Sequence, residues 1–235
     1  MGTIINAIAI VVATLIGMTL RKGLPASLQK TIMFVLGLAL FALSLGWFLS
    51  DFLVIGEDGI STSGDLLIIL SLIIGTTAGE KIDIDGRLQR FAHGFEEKYK
   101  LPPLAKGYIA GTLIFCVGAM AILGSIQDGL TGDMSTLLIK SALDFITAMM
   151  LASVFGLGVA FAAVSVLVYQ GAITIGAMYA GMFLTVQMVT ALSMVGNILL
   201  IAMALNFMEL KKVRVANMLP ALLVPVLYYI LIGLF

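Results

Sequence analysis

Cysteine, histidine and charge are what this sequence has least of. A single cysteine among 235 residues, Cys116, excludes an intrachain disulfide and a thiolate zinc site. A single histidine, His93, leaves almost no material for a metal-ligand set or a histidine-based triad. Only 11% of the residues are charged, where soluble domains carry about 25%. The 13 basic and 13 acidic side chains cancel, so the basic stripe of a nucleic-acid binder is missing. What remains is apolar: 61% hydrophobic residues and 25 glycines, too much for one soluble globule of this length. Disorder is excluded with it. The expected solvent is the membrane, and the expected fold class is all-α, a polytopic membrane helix bundle forming one integral domain over residues 1–235.

A spanning helix needs about 20 largely apolar residues to cross about 30 Å of hydrocarbon. The largely apolar runs give eight spans, at 2–20, 31–50, 64–80, 107–127, 135–155, 158–180, 184–206 and 217–235. The 64 uncharged residues Phe145–Met208 are too many for one span, and glycine at 156–158 and at Gly181 offers the breaks. No cleavage-like small-residue site leads from span one into a polar domain, so span one is expected to stay in the fold.

Charge gives the orientation. In an eight-span count, 12 of the 13 basic residues fall on one side: Arg21, Lys22 and Lys30; Lys81, Arg87, Arg90, Lys98, Lys100 and Lys106; Lys211, Lys212 and Arg214. The opposite loops hold Asp51, Glu57, Asp58, Asp65, Asp128 and Asp133 and no basic residue. Basic loops stay cytoplasmic, so both termini are expected outside. In the long basic loop, Ile84, Leu88, Phe91 and Phe95 recur at helical spacing opposite Arg87, Arg90, Glu97 and Lys98. That predicts an amphipathic interfacial helix over about 84–100, with His93 as a solvated member and Pro102-Pro103 as its end.

Functional chemistry is expected in spans four to seven. At 1.5 Å per residue, Gly118 lies about 16 Å deep, Asp144 about 14 Å, Gln170 about 18 Å and Ser193 about 14 Å. Polar groups at that depth are costly and usually face one another or a cavity, which Asn197 would also line. Lys140 and Asp144 are four apart on one helical face and are the only charges placed inside the hydrocarbon. Two readings stand side by side: a self-neutralising structural pair, and a coupling or substrate-binding pair. Asp128, beside Gln127 and Gly129, marks either the mouth of a pathway or a helix terminus. Gly118 in span four and Gly171 in span six are candidates for unwinding, where freed carbonyls or amides bind ions. The alternative is close packing through small residues, as the Gly75/Gly79 and Gly107/Gly111 spacings suggest. A faint repeat aligns Gly118-Ala119 with Gly171-Ala172, and Ser141 to Asp144 with Thr190 to Ser193.

The run Phe115–Leu130, the segment Gly132–Asp144, Tyr169-Gln170-Gly171, the opening Gly2-Thr3-Ile4-Ile5-Asn6 and the closing Asn217-Met218-Leu219-Pro220 together resemble the bacterial multipass family catalogued as domain of unknown function 554. The resemblance covers nearly the whole chain and departs at Ala119, where the family pattern often has proline. It implies a prokaryotic cytoplasmic-membrane protein, presumed a transporter, with no settled substrate.

The expected function is therefore a secondary transporter of a small solute or ion. Its pathway residues are Cys116, Gly118, Gln127, Asp128, Lys140, Ser141, Asp144, Tyr169, Gln170, Gly171, Ser193 and Asn197. A passive channel and a non-transporting scaffold or assembly protein are the alternatives. An enzyme is disfavoured, because no P-loop, metal-ligand set or nucleophile constellation is present. No metal or cofactor is expected. The expected partners are the lipid bilayer and an unidentified small solute or ion; nucleic acid is not among them, and a homo-oligomer is left open.

Overall fold

A computed structural model of the chain describes residues 1–21, 25–56, 59–99, 104–116, 119–180 and 185–233. Its elements are α1 (Gly2–Arg21), α2 (Ala26–Phe52), a hairpin of β1 (Leu53–Gly56) and β2 (Gly59–Thr62), α3 (Asp65–Ile82), α4 (Ile84–Tyr99), α5 (Ala105–Cys116), α6 (Ala119–Thr131), α7 (Ser135–Phe155), α8 (Gly158–Ala180), α9 (Val186–Phe207), a 3-10 helix (Val215–Leu222) and α10 (Leu223–Gly233). Helices dominate because a backbone in hydrocarbon must satisfy its own hydrogen bonds.

Among the described residues six helical segments are long and apolar enough to cross a membrane: Gly2–Leu20, Ser27–Phe52, Ser135–Phe155, Gly158–Met178, Val186–Phe207 and Val215–Ile232. A seventh is added if α5 and α6, bent by 77° at their junction, count as one span. The total is six or seven where the sequence reading expects eight. Of the two remaining helices, α4 is amphipathic and α3 has only 18 residues, with Asp65 at its start and Glu80 and Lys81 at its end.

Span four, where unwinding at Gly118 is a candidate, is the bent pair α5 and α6, and the residues between them lie outside the described ones. Two expectations change in detail. Span six is continuous: α8 runs through Gly171 and Gly176, and a Cβ at either would meet nothing within 4 Å. No unwinding occurs at Gly171. Span eight opens as a 3-10 helix carrying Pro220, whose missing N–H forbids an α-helical bond at that position.

The chain divides into two compact units. The first comprises Met1–Met33 and Leu88–Phe183. In it α1 and α7 run parallel, with Gly2 against Leu137 and Gly17 against Met149 and Ala152. A Cβ on Gly17 would lie 2.2 Å from the Met149 carbonyl oxygen, so only glycine permits this approach. Such backbone proximity is the main source of helix association where lipid already solvates apolar side chains. Gly156, at φ 71°, ends α7 and turns the chain into α8 as the glycine signal predicts. Gly107 and Gly111 back onto Val159 and Ala162 of α8, and Gly129 of α6 onto Thr174. Lys106 therefore lies at the end where α7 hands over to α8, while Asp128 and Asp133 lie at the other.

The second unit comprises Phe34–Arg87 and Leu184–Phe235. Here α3 lies on the 3-10 helix: a Cβ on Gly75 would sit 2.1 Å from the Ala221 nitrogen, and one on Gly79 would sit 1.9 Å from the Asn217 oxygen. Ile68, Ala191 and Met194 form a core joined by Phe48, Phe52, Leu72, Ile198 and Tyr229. The hairpin, antiparallel with Leu53 opposite Thr62 and Gly56 opposite Gly59, is exposed throughout. Asp83, at φ 54°, links α3 to α4 and accepts from the Gly86 amide at 3.3 Å, a side-chain cap on the new helix. Asn217 supplies a second cap, its Oδ1 accepting from the Asp85 amide at 2.7 Å. Arg214 pairs with both Glu80 and Asp83, joining the basic loop after α3 to that after α9. The amphipathic helix appears as α4, described up to Tyr99; the side chain of His93 lies outside the described residues, as do Lys22, Glu57, Asp58, Lys100 and Pro102-Pro103.

Candidate functional site

The first unit buries an ion pair among α1, α7 and α8. Lys140 and Asp144 sit one turn apart on α7, and Lys140 Nζ donates to Asp144 Oδ2 at 2.5 Å. Their side chains are 8% and 7% exposed. The same Oδ2 accepts from Asn6 Nδ2 of α1 at 2.9 Å. That nitrogen also lies 3.5 Å from Gln170 Oε1 of α8. Asn6 and Gln170 are both fully buried. A carboxylate held by an ammonium and an amide can remain ionised in hydrocarbon, since its charge is neutralised and a further lone pair is bonded.

The hydrogen-bond inventory of the two amides is incomplete. Asn6 Oδ1 and Gln170 Nε2 are buried with no partner, although their amides already approach each other. One is an acceptor and the other a donor. Each costs about 1–3 kcal/mol while unsatisfied, so the cluster is built for a further polar contact. Beyond it, Thr3 and Thr174 face each other at 3.5 Å across α1 and α8.

Asp128 ends this side of the unit. Its carboxylate accepts from the Gly2 amide at 2.9 Å and from the Met1 amino group at 2.8 Å, so it caps the start of α1 where the helix dipole favours a negative charge. The helix-terminus reading of Asp128 thus has a partner, though the terminus is that of α1, more than a hundred residues away in sequence. Nearby, the Ser135 hydroxyl and backbone amide both donate to Asp133 and hold its carboxyl below the usual carboxylate range.

The other pathway residues divide. Gln127 is exposed and its Oε1 accepts from Thr136 Oγ1 at 2.7 Å. Ser141 spends its hydroxyl on the Leu137 carbonyl, at 2.6 Å. Cys116 ends α5 half-buried, and Tyr169 is half-buried beside Gln170. Gly171 lies in unbroken helix, and Gly118 falls outside the described residues. Ser193 and Asn197 belong to α9 in the second unit, where Asn197 Nδ2 donates to Ser193 Oγ at 3.3 Å and Asn197 Oδ1 has no partner. Asn6 is the site residue that sequence reasoning missed. Its signal was available: an amide in the first turns of an otherwise apolar span needs a partner, but nothing local says which.

Among the described residues no cluster of three or more histidine, cysteine, aspartate or glutamate side chains is placed to hold a metal.

Residues 1–230 match the family model described as Protein of unknown function (DUF554). The chain belongs to this family. It is 32% identical over 224 residues to the uncharacterized membrane protein YdfK of Bacillus subtilis (strain 168), covering 95% of this chain and 93% of that one. It is 30% identical over 229 residues to the uncharacterized protein YqgA of Escherichia coli (strain K12), covering 94% and 93%. No solved structure matches. The DUF554 chain is thus a multipass helical membrane protein like its relative, and its helices place a buried charged cluster where family names supply no chemistry.

Proposed function

We propose that this protein is a secondary transporter that moves a small solute or ion through the first unit, with Lys140, Asp144, Asn6 and Gln170 as its binding centre. One observation carries the reading. A buried cation–carboxylate pair is surrounded by two amides that each keep an unsatisfied polar atom. A purely structural pair gains nothing from those orphans, whereas a binding site needs them. The 77° bend between α5 and α6 supports the reading, because discontinuous helices are the usual material of membrane binding sites.

The protein resides in the cytoplasmic membrane with its basic loops inward and both termini outward. Supporting this, Lys106 and the acidic pair Asp128 and Asp133 lie at opposite ends of the first unit. The ion pairs of Arg214 with Glu80 and Asp83 likewise join two basic loops at one end of the second. At 1.5 Å per residue α3 is about 27 Å long, enough to serve as the eighth crossing with its charges at the two surfaces. The reaction is vectorial and needs no catalytic residue or cofactor.

The test is a thermal-stability screen of purified protein against ions, amino acids, amides and organic acids, followed by flux in liposomes with each stabilising compound. A ligand at 100 times its Kd adds about 2.7 kcal/mol to the folded state. Stabilisation and flux that both disappear in Gln170→Leu are expected. Uncoupled flux would make the protein a channel, and neither stabilisation nor flux with any compound would make it a scaffold.

A further inference from the structure

Polar side chains recur turn by turn along the first unit. On α5, Tyr108, Thr112 and Cys116 follow at intervals of four and share a face. Ser165 of α8 joins the first two, donating to the Tyr108 hydroxyl oxygen at 2.9 Å and accepting from Thr112 Oγ1 at 3.1 Å. One turn further, about 5.4 Å along, come Cys116 and Tyr169. The cluster of Lys140, Asp144, Asn6 and Gln170 follows, then Thr3 with Thr174, and finally Asp128. The line leads from the end bearing Lys106 to the end bearing Asp133.

The chemistry at its centre restricts what is carried. The cluster holds one cation and one carboxylate, and a net charge left in hydrocarbon costs several kcal/mol. An occupant must therefore keep the sum at zero. Donors are in surplus: Lys140 has three N–H groups, of which Asp144 engages one, and Gln170 Nε2 has no acceptor. The remaining orphan, Asn6 Oδ1, requires a donor close to Asp144.

We infer that the site takes a small monocarboxylate together with one proton, so that transport is electroneutral. The inference rests on the transport reading and gives it a substrate class. The incoming carboxylate accepts from Lys140 Nζ and Gln170 Nε2. The proton that accompanies it forms an O–H bond on Asp144, which releases Lys140 and donates to Asn6 Oδ1. Both orphans gain partners, and Lys140, the protonated Asp144 and the carboxylate sum to zero. On release the proton leaves Asp144 and the resting pair re-forms; no bond within the solute changes. With the same single proton a dicarboxylate would leave an uncompensated charge, as would a metal cation bound without release of a proton, and a neutral amide would leave the ion pair with no part to play. Asp144 is bonded by Lys140 on its own helix and by Asn6 on α1; Gln170 on α8 lies against Asn6, and Cys116 on α5, itself within electrostatic range of Tyr169 on α8, lies within electrostatic range of both members of the pair. The titratable group on α6, Asp128, is engaged at the start of α1.

The experiment uses full-length protein in liposomes with radiolabelled L-lactate and pyruvate, an outside-acid gradient of one pH unit and the membrane potential set by potassium and valinomycin. Accumulation approaching about tenfold is expected, unchanged by the potential, since one proton accompanies one anion. Lactate protection against heat should strengthen as pH falls in the wild type and become independent of pH in Asp144→Asn, whose lysine is already free; the wild-type flux decides the matter if that variant does not fold. Uptake that follows the potential, or equal uptake of lactamide or glycerol at every pH, overturns the inference and leaves transport standing. No flux and no protection with lactate, pyruvate, lactamide, glycerol, alanine or sodium overturns both.

Discussion

Replacing Lys140 with methionine removes the closer of the two donors on Asp144 Oδ2 while keeping most of the side chain's volume. The 2.5 Å contact to the ammonium is lost and only the 2.9 Å bond from Asn6 remains on a side chain 7% exposed. An uncompensated buried charge costs about 3–5 kcal/mol, more than a hundredfold in the ratio of folded to unfolded protein. Asp144→Leu alone should cost a similar amount by stranding the ammonium. Making both changes removes both charges, and apolar replacement of a whole pair is often close to neutral, so the double variant should regain most of the stability. The coupling is therefore expected to be several kcal/mol. Unfolding in mixed micelles titrated with SDS, followed by far-UV circular dichroism, measures it for the four proteins, and uptake is measured on the same preparations. The double variant should fold and transport nothing. A cost below about 1 kcal/mol for Lys140→Met, the size seen for solvent-exposed pairs, would refute the argument from burial. A stable double variant with normal uptake would place the pathway elsewhere.

Gly79→Ala should destabilise the second unit, because its Cβ would fall 1.9 Å from the Asn217 oxygen; Gly176→Ala, with open space around it, should instead stabilise by about 0.4–1 kcal/mol. Comparison of their melting temperatures checks both signs. Asn217→Ala should cost about 1–3 kcal/mol by stranding the Asp85 amide, and Arg214→Ala less than about 1 kcal/mol because its ion pairs are exposed; chemical unfolding should rank them in that order. Asp133, whose carboxyl is held below its usual range, adds stability above its unfolded pKa that is lost as pH falls through its lower folded value. Asp133→Asn should therefore flatten the acid side of the melting profile. Alkaline phosphatase fused after Phe235 should be active, and a fluorescent protein fused there dark; the reverse pattern would invert the proposed orientation.

The sequence by itself determined whatever depends on composition and on neighbours along the chain. Uncharged runs placed the long spanning helices, since only a helix satisfies its own backbone in lipid. Gly156 ended α7 because a positive φ costs glycine nothing. Lys140 and Asp144 were legible as a pair because i and i+4 meet on any helix, whatever surrounds it. Tertiary structure alone decided which helix faces which. In a chain so uniformly apolar there is little polar periodicity to tell a buried face from a lipid face, and close approach is set by glycines such as Gly17 and Gly79 against a distant backbone. That is why Asn6, 138 residues from Asp144, emerged as its partner only when α1 was laid beside α7. Asp128 found the start of α1 in the same way, and Ser193 and Asn197, level with Asp144 by residue counting, were assigned to the second unit. Depth along a helix follows from the 1.5 Å rise, but direction around it follows from packing, and direction is what assembles a site.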